Sequence, residues 1–312
     1  MTGAVGELAP RVVPTARGPV EVAEAGHGPA VVVVHGSPGD WGQGRALAED
    51  LAPSHRVVLV SRPGYGATPL RVGRTPEDQA AALAAVLDTL GEPRAALIAI
   101  SGGGPAAYAF ATRASDRCTA LVLCCAVAVH LPVAVITRLV RTVYATPWAR
   151  TLASRYERRS MARLVADPAL LAAAITDEMT DEERARAERD PRILDDLRAF
   201  MHDRARAVRR PEGFRNDVVQ FHSRRGGSAS PWPTGVRVPT LILHGDADPV
   251  VDIAHAEFYA RAIPDAEFES VQGGGHAFVL TYRSEVTPRI ARFLDRAQTS
   301  SPPRAPDPPR RE

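Results

Sequence analysis

The stretch Ala-Leu-Ile-Ala-Ile-Ser-Gly-Gly-Gly-Pro (residues 96–105) sets five apolar residues against a hydroxyl and three glycines, and an alanine-rich run over 106–111 follows. An apolar strand that stops on a serine and turns directly into a helix has the form of a nucleophile elbow, in which Ser101 is pushed out of the sheet into a strained, exposed position. Small neighbours are needed because strand and helix pass within contact distance. Gly102 and Gly103 meet that need downstream, and Ala99 stands, one methyl larger, where a GxSxG pattern has its first glycine. A flexible loop would not be bounded by five apolar residues on one side and an unbroken helical run on the other.

Outward from the elbow, short apolar runs at 31–34, 57–60, 96–100, 120–125 and 240–243 read as strands buried on both faces, which implies a mostly parallel sheet covered by helices. Helical patterns over 41–51, 76–90, 105–114 and 252–263 alternate with them. The second is marked by Thr75 as N-cap, Pro76 at the first helical position, Glu77 and Asp78 in the first turn and Gly91 past the end. An apparent strand over 267–271 comes last. The fold class expected is therefore α/β, with a mostly parallel central sheet flanked by helices.

The alternation breaks over 130–234, where helical stretches with polar faces dominate, and this segment reads as a helical cap inserted into the sheet domain. Thr180 and Glu183 have capping-box spacing for one of its helices. The organisation expected is a core over 1–129, the cap over 130–234, a returning core over 235–297 and a disordered Pro-rich tail over 298–312. That tail holds five prolines and no core-forming residue. The cap carries 19 arginines against 14 acids, which reads first as a solvated helical surface, with an anionic substrate as the lesser alternative.

Composition removes several function classes. Net charge is +2, and all 38 basic residues are arginine with no lysine, so no nucleic-acid partner is implied. No apolar run reaches the roughly 20 residues of a membrane span, and residues 1–18 lack a signal-peptide core, so no membrane span and a cytoplasmic location are expected. Cys118, Cys124 and Cys125 are odd in number, with two adjacent on an apolar strand. That suits reduced core residues better than disulfides or a metal site.

A serine is a weak nucleophile until a base takes its proton and a third group orients that base. His276, in Gln-Gly-Gly-Gly-His-Ala-Phe (residues 272–278), follows the last apparent strand, where glycines let a loop fold back over the sheet edge. Asp248, in His-Gly-Asp-Ala-Asp-Pro (residues 244–249), follows the strand at 240–243; Asp246 and Asp252 compete for its role, and Pro249 favours Asp248 by stiffening the turn. His35 and His244 each precede a glycine at a strand end and read as structural. Two backbone N–H groups are expected to face the developing oxyanion, that of Gly102 and that of Ser37 in His-Gly-Ser-Pro-Gly (residues 35–39), because Pro38 has none to give. Trp41, His130, Tyr144, Trp148 and Phe221 are candidates to line a pocket, each weighed against a role in packing the cap on the core.

Taken together, His-Gly-Ser-Pro-Gly (35–39), Arg-Pro-Gly-Tyr-Gly (62–66), Ile-Ser-Gly-Gly-Gly-Pro (100–105), His-Gly-Asp-Ala-Asp-Pro (244–249) and Gly-Gly-His (274–276) resemble the α/β-hydrolase superfamily on both sides of the cap. The resemblance implies the α/β-hydrolase fold with an inserted helical cap, a Ser101–Asp248–His276 triad, an oxyanion N–H from Ser37 and a pocket shaped by the cap. Ser61 stands where that family usually has aspartate, a change that bears on loop packing. A serine at the elbow argues against the branches that attack through a carboxylate. The expected function is that of a serine hydrolase of the esterase-like kind, acting on a small-molecule acyl substrate with no metal or organic cofactor. A ligand-binding protein without turnover and an acyltransferase using the same triad are the alternatives, and the oligomeric state is left open.

Overall fold

Valine-rich runs form the middle of the sheet, as β-branched side chains favour extended backbone. The computed structural model describes residues 8–128, 143, 146–177, 179–222 and 235–299. Its elements are β1 (Arg11–Thr15), β2 (Gly18–Ala25), β3 (Ala30–Val34), α1 (Arg45–Leu51), β4 (Arg56–Val60), α2 (Pro76–Thr89), β5 (Ala95–Ile100), α3 (Gly104–Arg113) and β6 (Cys118–Cys124). Then come α4 (Pro147–Ala166), α5 (Pro168–Asp177), α6 (Asp181–Arg189), α7 (Pro191–Ala207), α8 (Glu212–His222), β7 (Thr240–Gly245), α9 (Ala254–Ala262), β8 (Glu267–Val271), α10 (Phe278–Thr281) and α11 (Arg283–Thr299).

The eight strands lie in the order β1-β2-β4-β3-β5-β6-β7-β8. Only β1 with β2 and β2 with β4 run antiparallel; every other pairing is parallel. Side chains alternate between two cores. Val32, Val34, Leu97 and Ala99 face α2, α3 and α9, whereas Val31, Val33, Ala96 and Ile98 face α1 and α11. The sheet is thus buried on both faces, as the apolar runs require.

Three features differ from the sequence reading. The antiparallel β1 and β2 were not foreseen, since their five and eight residues are interrupted by a proline and by polar side chains rather than forming an apolar run. The helix expected over 41–51 begins as a 3-10 turn, Trp41–Gly44, before α1. The last helix continues to Thr299, two residues into the segment assigned to the tail.

Between β6 and β7 the described residues form helices only, α4 to α8. Leu171, Ile175, Met179, Ile193, Leu197 and Met201 of this layer make one apolar cluster with Ala46 and Leu280 of the sheet domain, which seats the layer on the core. Among the described residues, no helix is long and apolar enough to cross a membrane.

Candidate active site

β5 delivers Ser101 to the C-terminal edge of the sheet with φ 48°, a left-handed conformation that costs a non-glycine residue about 1–3 kcal/mol. The Ser101 carbonyl accepts hydrogen bonds from the Gly104 N–H and, at 2.9 Å, from the Val127 N–H, so the strained turn is held on both sides. Space is tight at Gly102, where a Cβ would lie 2.8 Å from Ser37 Cβ and 3.1 Å from Phe221 Cζ, so a larger residue would force a neighbour to shift.

His276 approaches from the loop after β8. Its Nε2 lies 3.1 Å from Ser101 Oγ, and its Nδ1 lies 2.7 Å from Asp248 Oδ2. A carboxylate only accepts, so Nδ1 carries the proton and Nε2 is left with a lone pair toward the serine hydroxyl. Asp248 Oδ1 accepts from the N–H groups of Val250 at 2.8 Å and Val251 at 3.0 Å. Burial works against the Asp248 charge, but the His276 imidazole and these two N–H groups outweigh it and hold the carboxyl below the ordinary aspartate range. The acid and histidine loops stack closely: a Cβ at Gly245 would meet the Gly274 carbonyl oxygen at 2.2 Å, and the Ala247 N–H donates to that oxygen at 3.0 Å.

Of the competing carboxylates, Asp246 accepts from the Gly273 N–H at 2.7 Å and Asp252 from the Ala254 N–H at 2.8 Å. Asp246 thereby braces the histidine loop, and Asp252 serves the start of α9. His244 donates from Nε2 to the Val251 carbonyl at 2.8 Å, bracing the acid loop.

The loop over 35–39 is laced from several directions. His35 Nδ1 donates to the Gly36 carbonyl at 2.7 Å, and His35 Nε2 accepts from the Arg62 N–H at 2.9 Å. One nitrogen donating and the other accepting defines a neutral ring, and burial, with the Arg62 guanidinium nearby, drives its pKa well below the ordinary histidine value. Gln43 accepts from the Gly36 N–H through Oε1 and donates from Nε2 to the Pro38 carbonyl, each at 2.9 Å. The outcome is a rigid loop whose Ser37 lies against Gly102.

The pocket candidates separate. Phe221, buried on α8 with Val127, Val218 and Val251, sits over the elbow at Gly102. Trp41 instead packs in the core beside α1 with the Arg45 guanidinium 4.8 Å from its ring, and Trp148, 73% exposed on the first turn of α4, faces outward. Packing and solvation account for these two, as the 3-10 turn directs Trp41 inward. His130 and Tyr144 lie outside the described residues.

Sequence reasoning gave no role to Arg62, Tyr65, Asp217 or the far reach of Glu183. Arg62 and Tyr65 lie within the quoted 62–66 motif, whereas nothing near Asp217 in the sequence points to it. Glu183 is the N3 residue of the α6 capping box with Thr180, and it also accepts from the Gly275 N–H at 3.0 Å and the Thr281 hydroxyl at 2.7 Å. It therefore ties the helical layer to the residue beside His276.

Among the described residues, Cys125 Sγ, the Asp248 carboxylate and His276 are the donor atoms that cluster within 4.8 Å. Burial, with Asp248 beside it, pushes the Cys125 thiol well above its ordinary range, and a protonated thiol is a poor metal ligand. The set suits a hydrogen-bonded relay better than an ion. A cleft of about 610 Å³ along β8 is lined by Arg186, Arg289, Glu269 and Glu285, but not by Ser101 or His276. Its charges pair with each other or with neighbouring acids.

The sequence profile of a family described by its alpha/beta hydrolase fold matches residues 29–281. An alpha/beta hydrolase fold protein from Nakamurella multipartita is 32% identical, with TM-score 0.69 over 93% of this chain and 100% of that one. An esterase from Thermogutta terrifontis is 25% identical, with TM-score 0.63 over 93% of this chain and 99% of that one. Among curated proteins, a poly(3-hydroxyalkanoate) depolymerase from Ectopseudomonas oleovorans is 28% identical over 79% of this chain and 77% of its own length. The polyketide synthase ThaQ of Burkholderia thailandensis is also 28% identical over 88% of this chain, which spans 12% of that much longer protein.

Proposed function

The chain belongs to the alpha/beta hydrolase fold family, and from that premise we propose that it is a serine hydrolase cleaving an acyl bond of a small molecule, most simply a carboxylic ester. The observation that carries this reading is the unbroken relay from Ser101 Oγ through His276 to Asp248, at 3.1 and 2.7 Å, beginning at a strained serine. The similarity to the Thermogutta terrifontis esterase and the Ectopseudomonas oleovorans depolymerase supports bond cleavage as the outcome.

In this mechanism Ser101 Oγ attacks the acyl carbon while His276 Nε2 takes its proton, and Asp248 stabilises the imidazolium that forms. The carbonyl oxygen becomes an oxyanion facing the N–H groups of Ser37 and Gly102. Each such donor lowers the barrier by about 2.7–4 kcal/mol, and the N-terminus of α3 adds its dipole. Collapse of the adduct expels the alcohol, which receives the proton from His276. Water then repeats the sequence on the acyl-enzyme, releasing the acid and restoring Ser101.

A panel of p-nitrophenyl acyl esters of graded chain length tests the reading. Wild-type protein is expected to hydrolyse at least one of them, with the rate lost by about 10⁶-fold in Ser101→Ala. Equal rates in the two proteins would overturn it.

A further inference from the structure

One buried group outside the relay touches the catalytic edge from the helical layer. Asp217, on α8, is 3% exposed and pairs with an equally buried Arg62, Oδ1 to Nη1 at 3.1 Å and Oδ2 to Nη2 at 2.7 Å. Burial opposes the guanidinium charge, yet Asp217 outweighs it and keeps Arg62 firmly protonated. Arg62 directs its remaining donors to the core: Nε to the His35 carbonyl at 2.9 Å and Nη2 also to the Gly36 carbonyl at 3.0 Å.

The Gly36 carbonyl belongs to the same planar peptide unit as the Ser37 N–H. In a trans peptide the two point in opposite directions, so fixing the carbonyl fixes the N–H. Arg62 and His35 both clamp that carbonyl, which holds the Ser37 N–H in one direction. A second link reaches the same residue. The Tyr65 hydroxyl donates to Asp217 Oδ2 at 2.7 Å, so its oxygen accepts from the Ser37 hydroxyl at 2.9 Å. Four residues along α8, Phe221 covers Gly102, the other expected donor.

We propose that Asp217 is a positioning residue for the oxyanion hole, acting through Arg62 and Tyr65 on the Gly36–Ser37 peptide, so that the helical layer sets the rate of acyl transfer as well as access to the serine. Seating α8 and aiming the Ser37 N–H are then one event. Arg62 suits this task because its planar fork spans a carboxylate and two carbonyls together, which an ammonium group does not. The inference rests on the serine hydrolase reading.

The test compares wild type, Asp217→Asn and Tyr65→Phe, with active sites titrated by a fluorophosphonate so that misfolded protein is not counted. The readouts are kcat and KM for a p-nitrophenyl ester and the inhibition constant of a trifluoromethyl ketone, whose tetrahedral adduct carries the oxyanion. Asp217→Asn is expected to lower kcat by at least about tenfold, below a ceiling of about 10²–10³-fold for loss of one donor, and to weaken the ketone by a similar factor at unchanged KM. Tyr65→Phe, which keeps the ion pair, is expected to move the same two quantities by a smaller factor, and it decides the matter if Asp217→Asn does not fold. Folded variants with wild-type kcat and ketone affinity, or a change confined to KM, would overturn the inference while leaving the hydrolase reading intact. Failure of the phosphonate to label wild type would overturn both.

Discussion

Asp248 uses its two oxygens for different tasks: Oδ1 is anchored by the N–H groups of Val250 and Val251, and Oδ2 faces His276. An asparagine there would keep the anchor through its carbonyl and present an NH₂ to the imidazole. The ring would then carry its proton on Nε2, where it cannot accept one from Ser101. Asp248→Asn is therefore expected to lower kcat by about 10⁴-fold with KM nearly unchanged. A loss below tenfold would mean that another group orients the ring. At this scale the sequence was readable wherever chemistry and turn geometry coincide. Ser101 is followed by three glycines, His276 follows three more, and Asp248 precedes Pro249, so each carries its own local mark. Asp217 carries none, because its role arises only when α8 packs on the 62–66 loop.

Between elements, the junction of α7 with the 3-10 turn that precedes α1 holds two buried carboxylates close to one guanidinium. Arg206 contacts Asp40 at 3.2 Å and Asp203 at 2.6 Å, and among the described residues Asp203 Oδ2 has no hydrogen-bond partner. Burial raises Asp40 to about 6, with Arg206 opposing and Asp203 and Glu21 adding to the rise. The folded protein then binds more protons than the unfolded chain between the ordinary aspartate value and about pH 6. Asp40 accordingly favours folding most at low pH, and its contribution is lost as pH rises through 6, by up to about 3 kcal/mol. Thermal midpoints of wild type and Asp40→Asn from pH 4 to pH 7 check this. The difference between the two curves is expected to shift against wild type as pH rises, and parallel curves would contradict it. Elements themselves were legible by their punctuation. Thr75 and Asp78 form the capping box at the head of α2, and Thr180 and Glu183 do so at α6. Strand β2 was not, because its alternation suits a strand with one open face, whereas the parallel strands announce themselves as unbroken apolar runs.

Across the whole molecule, the sheet edge that carries Ser101 is closed by contacts from both sides of the chain's central interruption. The sheet domain supplies the serine, acid and histidine, while α6 and α8 brace two of the loops that surround them. A mostly parallel sheet flanked by helices followed from the alternation of apolar runs, whereas the strand order and the two antiparallel pairings did not. Which side chains of the helical layer meet the core did not follow, since helices with polar faces permit many dockings and a buried ion pair forms in only one of them. The proposed function depends on Ser101 being an activated nucleophile. The most direct measurement is intact-mass and peptide mass spectrometry after brief exposure of the folded protein to a fluorophosphonate. One adduct per chain is expected, on the peptide containing Ser101, with none after heat unfolding or in Asp248→Asn over the same interval. An unmodified Ser101 in folded wild-type protein, or an adduct on a different residue, would contradict it.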